Sequence, residues 1–457
     1  MKRRATSLAV LGIFLALAGL YLPDCARPLP PPEKFSLPAA RFGPDRIILG
    51  LTGDPSTTQA VTWRTIAAEK TPRGELALVD ANPEFEATAT AVPAKTMPLK
   101  VDGKTLYHYE VDFEGISPDT RYLYRVGDED AWSEWSEFRT ASAKPDRFRF
   151  IYMGDVQNAI ASLWSRTVRL AYRNAPDARF ILYGGDVTTS GSDDSEWGEW
   201  CYAQGLIARQ IPCLATPGNH DVKRPANDSS AGEETEVPPV WHAHLALPGN
   251  GPQGVPLLDE ETYYVDYQCA RIISLDSNLY DDGGPNAAEK PKAREAQLAW
   301  LEEVLRGAGS RWIIVVHHHP IFSVGQNRNN KELRKDLAPI YDKYHVDLVL
   351  QGHDHFYGRT QKIREEKVVA PDDYGTIYAV SVSGPKMYHK NPEFEPLMAV
   401  MRGNTQMFEI IDMDEARLVY EAYSVAGERV DAFELRRAPG KPTSYVPRAS
   451  SEAASNN

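Results

Sequence analysis

With 457 residues, 42% apolar and 25% charged, the chain is long enough for two domains plus flanking segments. Its 50 Lys and Arg against 63 Asp and Glu give a net charge of −13, which argues against nucleic-acid binding through a general basic surface. The same balance leaves a phosphate-bearing substrate open, because bound cations dominate the local field even in an acidic protein.

Met1–Leu22 reads as an export segment: Lys2, Arg3 and Arg4 precede the apolar run SLAVLGIFLALAGLYL. That run is shorter than the roughly 20 residues a relaxed membrane span needs, so a cleaved signal over residues 1–26 is preferred to an uncleaved anchor. Ala16–Ala18 offers small residues for cleavage but lies inside the run. Cys25 raises lipidation as a third route, against which Leu22-Pro23-Asp24 is a poor match. In each case the expected location is outside the cytoplasm: periplasm, cell surface or medium. Export permits disulfides. Of Cys25, Cys201, Cys213 and Cys269, the pair Cys201 and Cys213 either bonds or supplies two small buried apolar side chains.

Residues 27–44 are Pro-rich (RPLPPPEK) and predict an extended linker. Residues 45–141 hold short runs with turn signals between them, two of which, YHYEVDF and TRYLYRV, alternate apolar and polar. That pattern predicts an antiparallel β-sandwich, with Trp63 as a core anchor. Residues 146–436 alternate strands with helices, expected over Ala159–Asn174, Glu196–Ala208, Glu295–Leu305 and Lys331–Tyr344. YYVDYQCARIISLDS reads as a hairpin, and IYAVSVSG and QMFEIIDMDEARLVYEAYS as strands that complete a second sheet. Residues 437–457 are polar, without periodicity, and predict a disordered tail.

Five short blocks stand out: MGD ending at Asp155, GGD ending at Asp186, GNHD from Gly218 to Asp221, VVHHHP from Val315 to Pro320, and GHDH from Gly352 to His355. Each follows an apolar run that reads as a buried strand: FRFIYM, RFILYG, IPCLAT, RWIIVV and VDLVLQ. Acids, an amide and imidazoles thus gather where strands end, which is where layered α/β folds build sites. Two hard cations held close together bind the attacking and leaving oxygens of a phosphoryl group and make hydroxide available near neutral pH. Holding them takes a carboxylate able to bridge, with oxygen and imidazole donors on either side.

The order D…GD…GN-H-[ED]…H…GHxH resembles the calcineurin-like metallophosphoesterase family, and within it the purple acid phosphatases. GISPDTRYLYRVG…WSEWSEFRT resembles the fibronectin type III-like N-terminal domain of the latter, with Pro118, Thr120, Tyr122, Tyr124, Val126 and Gly127 on its pattern. The resemblance implies an all-β sandwich followed by a four-layer α/β domain, a β-sandwich flanked by helices. It implies two divalent or trivalent ions (Fe, Mn or Zn) and a ligand set matched position by position. Asp155 and His355 take the first metal, Asp186 bridges, and Asn219, His318 and His353 take the second. His220 is then a proton or hydrogen-bond donor to the leaving-group oxygen, oriented by Asp221.

This chain also departs from the pattern. Thr189 stands where purple acid phosphatases carry a tyrosine three residues after the bridging Asp, so an iron–tyrosinate colour is not expected and the first metal need not be ferric. Gln157 stands where many relatives have the His of D-x-H; its amide oxygen either ligates or bonds a metal-bound water. The loop after Pro320 has no His, and Arg328 and Asn329 are its candidates for substrate contact. His242 and His244, in VWHAHLALP, are candidates for the wall or rim of the pocket. If the strand before His318 continues, His317 and His319 point away from it, one at least being structural. Tyr357 and Arg359 read as supports, and Tyr388 as a residue that could reach the cleft.

The function implied is a dinuclear metal-dependent phosphoesterase hydrolysing small phosphate monoesters by a metal-bridging hydroxide. A phosphodiesterase or nucleotidase on the same scaffold is the alternative. A non-catalytic cell-surface binding module on a degenerate site is the alternative of another class. The presence of all six matched ligands and of His220 weighs against it. No nucleic-acid scaffold is expected as a partner, and a membrane tether only through an uncleaved or lipidated N-terminus.

Overall fold

Eight strands open the described chain: β1 (Asp45–Gly50), β2 (Thr58–Thr65), β3 (Arg73–Leu78), β4 (Thr90–Pro93), β5 (Lys95–Val101), β6 (Lys104–Glu114), β7 (Arg121–Gly127) and β8 (Ser136–Arg139). The computed structural model describes residues 43–101, 103–222, 238–281 and 286–448. The expected export segment, Cys25 and the Pro-rich linker up to residue 42 lie outside them. The eight strands make two antiparallel sheets, β1-β2-β6-β5 and β4-β3-β7-β8. Alternation in β6 turns Tyr109, Val111 and Phe113 inward, where they meet Tyr124, Phe138 and Trp63. Trp63 is buried and stacks on Tyr109 at 5.2 Å between centroids, as expected of a core anchor.

The second domain runs β9 (Phe148–Met153), α1 (Ser165–Asn174), β10 (Ile181–Tyr183), α2 (Asp194–Gln204), β11 (Cys213–Ala215), α3 (Pro239–His244), β12 (Tyr263–Tyr267), β13 (Ala270–Ser274), α4 (Lys290–Arg306), β14 (Trp312–Val316), α5 (Lys331–Tyr344) and β15 (Leu348–Gln351). It continues with β16 (Tyr357–Thr360), the small hairpin β17 (Ile363–Arg364) and β18 (Lys367–Val368), β19 (Ile377–Val380), β20 (Met398–Arg402), β21 (Met407–Met413), β22 (Arg417–Ser424), β23 (Arg429–Arg436) and β24 (Ser444–Pro447). Two seven-stranded mixed sheets result, β11-β10-β9-β21-β22-β23-β24 and β12-β13-β14-β15-β19-β16-β20.

The two sheets bury one shared core. Ile314 and Val316 of β14 join Phe150, Tyr152 and Leu348 in it, while Ile313 and Val315 point the other way, onto Leu301, Leu305, Leu337 and Tyr341 of α4 and α5. Strands covered on both faces read as unbroken apolar runs, which is why RWIIVV carries no alternation. Across the gap, Arg359 of β16 and Asp431 of β23 form a buried bidentate pair at 2.5 and 2.9 Å, with the Tyr357 hydroxyl donating to the same carboxylate at 2.7 Å. Tyr357 and Arg359 are therefore supports, as read.

One expectation changes and one open alternative is decided. The tail expected to be disordered from 437 stays ordered to 448: β24 pairs with β23, and the Arg437 guanidinium lies 3.9 Å over Trp312 and bonds Asp347 at 2.8 Å. The outer edge of β23 offers a ladder that four residues can close, too short a signal to read from periodicity. Residues 449–457 lie outside the described residues. Cys201, Cys213 and Cys269 are unpaired thiols; no bond joins Cys201 to Cys213, and of those two Cys213 is buried and Cys201 half-buried. Among the described residues no helix is long and apolar enough to cross a membrane.

Candidate metal centre

Each motif block lies at the carboxyl end of a parallel strand. Asp155, Asp186 and Asn219 follow β9, β10 and β11 of one sheet, and His318 and His353 follow β14 and β15 of the other. Asp186, His353 and His355 hold positive φ (51°, 71° and 48°), a strained setting for side-chain-bearing residues that collects at functional sites. The turns are tight because glycine lets backbone approach the donors. A Cβ on Gly218 would sit 2.3 Å from Asp186 Oδ1, and one on Gly352 2.7 Å from Asp155 Oδ2.

The side chains converge. Asp155, Asp186 and His318 each offer an atom within 4.8 Å of the others. His318 Nε2 is 3.3 Å from Asp186 Oδ1 and 3.2 Å from Asn219 Oδ1. His353 Nδ1 is 2.9 Å from that same amide oxygen and 3.2 Å from His318 Nε2. On the other side, His355 Nε2 is 3.6 Å from Asp155 Oδ1. Backbone carbonyls hold two of the rings: His318 Nδ1 donates to Gly184 O at 2.8 Å, and His355 Nδ1 to Lys386 O at 3.1 Å, turning each Nε2 inward.

Both oxygens of Asp155 are buried without a hydrogen-bond partner among the described residues, an arrangement that a cation would satisfy. Burial, together with Asp186, pushes Asp155 up to about 7, although His318 works against the shift. Burial also opposes ionisation of Asp186, but His318 and His220 hold it well below the usual carboxylate range. Burial disfavours a charged His318, yet Asp186 and Asp155 raise it to about 9. Burial keeps His353 and His355 neutral, the form that ligates. Two carboxylates, an amide oxygen and three imidazoles are the donor chemistry of hard and borderline cations, and the residues fit a pair of them.

The remaining predicted residues separate. His220 reaches the site, with Nδ1 donating to Thr189 O at 2.7 Å and its backbone N–H to Asp186 Oδ1 at 2.8 Å. Asp221 does not orient it. The buried Asp221 carboxylate accepts the backbone N–H groups of Val187, Thr188 and Gly218 at 3.1, 3.3 and 2.8 Å, and so ties the GGD turn to the GNHD turn. His242 and His244 are not at the pocket. They sit on α3: His242 pairs with Glu260 at 3.2 Å, and His244 is buried against Trp197, His108 and Arg46 in the seam with the N-terminal sandwich. Arg328 does approach, donating to His353 O at 2.6 Å, and Asn329 lines the cleft. Gln157 Nε2 donates to Asp186 Oδ2 at 2.6 Å.

Because β14 ends at Val316, the alternation expected for the three histidines stops. His317 is buried on Tyr341, whereas His319 turns toward His353 (4.2 Å between centroids) and is held by Ser277 Oγ at 2.8 Å. His319 lines a cleft of about 440 Å³ that opens beside Asn219 and His353, with Tyr280 and Lys331 farther out. Tyr388 meets the candidate ligand His355 at 4.7 Å. Lys386, which carried no signal in its own stretch of sequence, also faces the site, its Nζ 3.4 Å from Gln157 Oε1.

Comparison with known proteins identifies both domains. Residues 44–140 match the model of the purple acid phosphatase N-terminal domain, and residues 148–357 that of the calcineurin-like phosphoesterases. An uncharacterized protein of Mycobacterium tuberculosis is 26% identical over 68% of this chain, which spans only 60% of that relative's length. Human acid phosphatase type 7 is 26% identical over 73% of the chain and 74% of its own length. Among solved structures, a purple acid phosphatase from yellow lupin seeds superposes with a TM-score of 0.69 at 19% identity, covering 87% of this chain and 75% of its own. PhoD does so at 0.63 and 12%, covering 92% and 95%. The chain carries a purple acid phosphatase N-terminal domain over residues 44–140, followed by a calcineurin-like phosphoesterase domain over residues 148–357.

Proposed function

We propose that the protein is a dinuclear metal-dependent phosphatase that hydrolyses small phosphate monoesters. The observation that carries this reading is the buried, unpartnered carboxylate of Asp155 facing Asp186 and a neutral His355, beside the group formed by Asn219, His318 and His353. Asp155 and His355 would hold the first cation and Asn219, His318 and His353 the second, with Asp186 shared. When bound, two such ions draw in phosphate oxygens, neutralise charge that builds up on them and supply hydroxide near neutral pH.

The protein's own residues do the rest. His220, its ring set by the Thr189 carbonyl, gives a proton to the leaving-group oxygen. Arg328 and Lys386 add fixed positive charge at the rim, which favours an anionic ester over a neutral one. The cleft beside Asn219 and His353 receives the alcohol portion. The basic and apolar start of the sequence supports export of the chain.

The test is elemental analysis of the purified protein beside hydrolysis of p-nitrophenyl phosphate and bis-p-nitrophenyl phosphate, with Asp186→Ala as control. About two metal ions per chain and a preference for the monoester, both lost in the variant, are expected. Preference for the diester would reassign the enzyme as a phosphodiesterase. Absence of metal and turnover, after trials with Mn, Fe, Zn, Co and Ni, would overturn the enzyme reading.

A further inference from the structure

The two sides of the metal centre are not alike, and the difference lies in Gln157. This side chain is fully buried. Its Nε2 donates to Asp186 Oδ2 at 2.6 Å and stands 3.3 Å from His355 Nε2. Its Oε1 faces the Lys386 ammonium at 3.4 Å. An amide serves a cation only through its oxygen. Here the oxygen is turned to an ammonium and the nitrogen to a carboxylate. Turning the amide over would set its NH2 group against the Lys386 charge and its oxygen against the Asp186 carboxylate, losing both bonds at once.

Lys386 is placed there by the fold and not by chance. Its loop is tied down at both ends of the first side: Ser383 N–H donates to Asp155 O at 3.1 Å, and Tyr388 N–H to His355 O at 3.1 Å. The Lys386 carbonyl accepts from His355 Nδ1, and its ammonium lies 5.4 Å from the Tyr388 ring centre. A Cβ at Gly384 would come within 2.6 Å of Val156 O, so the loop passes closely over the segment that carries Gln157.

We infer that Gln157 is not a metal ligand, and that Gln157 and Lys386 together make the first cation position the weak, exchangeable one. Gln157 positions Asp186; Lys386 locks the amide and adds a like charge beside the first cation. That cation then draws only on Asp155, His355 and the shared Asp186, against Asp186, Asn219, His318 and His353 for the second. The consequence is ordered loading: the second position fills first, and the first fills and empties with the surrounding metal concentration. This rests on the two-cation reading above.

The test is titration of the metal-stripped full-length protein with Mn2+, followed by calorimetry and by electron paramagnetic resonance, which separates isolated from paired Mn2+. Two steps are expected, the weaker at least about tenfold above the tighter, with the paired signal appearing only in the weaker step. Lys386→Met should tighten the weak step by about tenfold and leave the tight one unchanged, whereas Lys386→Arg should keep it weak. Gln157→His, which supplies an imidazole in place of the locked amide, should also tighten it. Thermal melts of each variant without metal separate these shifts from misfolding. Two equal steps in the parent protein, or a weak step untouched in both Lys386→Met and Gln157→His, would overturn the inference and leave the two-cation reading standing. Saturation at one ion in every variant would overturn both.

Discussion

His220 Nδ1 lies 2.7 Å from the backbone carbonyl of Thr189, three residues past Asp186. The loop after Asp186 therefore orients the His220 ring through main chain, and the side chain at 189 is released from that task. Thr189→Ala should leave kcat within about twofold, whereas His220→Ala should lower it by about 10²–10⁴. Steady-state kinetics on a phosphate monoester compares the two. A large loss in Thr189→Ala would contradict the main-chain assignment.

Asp221 acts through structure. Its carboxylate gathers the N–H groups of Val187, Thr188 and Gly218 in a buried setting. Asp221→Ala leaves those donors unpaired and should cost about 2–4 kcal/mol in urea unfolding. The folded fraction should keep its kcat within about tenfold of the parent protein. A larger loss of kcat, with stability unchanged, would restore the orienting role to Asp221.

Glu409 gives the protein an alkaline weakness. It is buried, accepts from Ser381 Oγ at 2.7 Å, and leaves Oε2 without a partner among the described residues. Burial pushes its pKa up to about 8. The folded state thus keeps a proton that the unfolded chain releases, so this stability is present in acid and is lost as pH climbs from the usual carboxylate range to about 8. Glu409→Gln should gain about 2–4 kcal/mol over the parent protein at pH 9 and little at pH 4.5. Urea melts at the two pH values decide it.

His108 sets the opposite limit. It is buried in the seam between the domains, 4.9 Å from the His244 ring, with Nε2 unpartnered among the described residues. Burial first, then Arg46 and Arg64, lowers it to about 4. Its stabilising contribution is present above the usual imidazole range and is lost as pH falls toward 4. His108→Gln should flatten the acid side of the stability profile by about 1–3 kcal/mol, read from unfolding at pH 4.5 and pH 7.

Arg359 and Asp431 are a buried ion pair between the two large sheets. Removing one partner strands the other charge, so Arg359→Met alone should cost about 3–5 kcal/mol. The double variant Arg359→Met/Asp431→Leu should recover most of that loss in a thermal or urea melt. Equal losses in the single and double variants would show that packing, not charge, holds the sheets there.

What could be read in advance was what local pattern encodes. The apolar runs before Asp155, Asp186, Gly218, His317 and Gly352 place donors at strand ends, and those donors converge. What could not be read depends on where distant backbone falls. Asp221 follows His220 in sequence, yet its partners are the amides of another turn. His242 and His244 suggest a ligand pair, but on α3 residues two apart face different ways, one to Glu260 and one into the domain seam. Lys386 lies thirty-one residues past His355 and enters the site only because β19 returns its loop over Asp155. Four residues, Ser444–Pro447, become a strand because β23 leaves them an edge.

The candidate metal donors belong to neither sheet alone. Asp155, Asp186 and Asn219 hang from one, and His318, His353 and His355 from the other. The gap between sheets is therefore a calibre: it spaces the carboxylates of one sheet from the imidazoles of the other. Arg359 and Asp431, on β16 and β23, act as its spacer. The distance between the two candidate donor sets is thus set by how the two sheets pack, and that buried pair takes part in the packing without touching a candidate ligand.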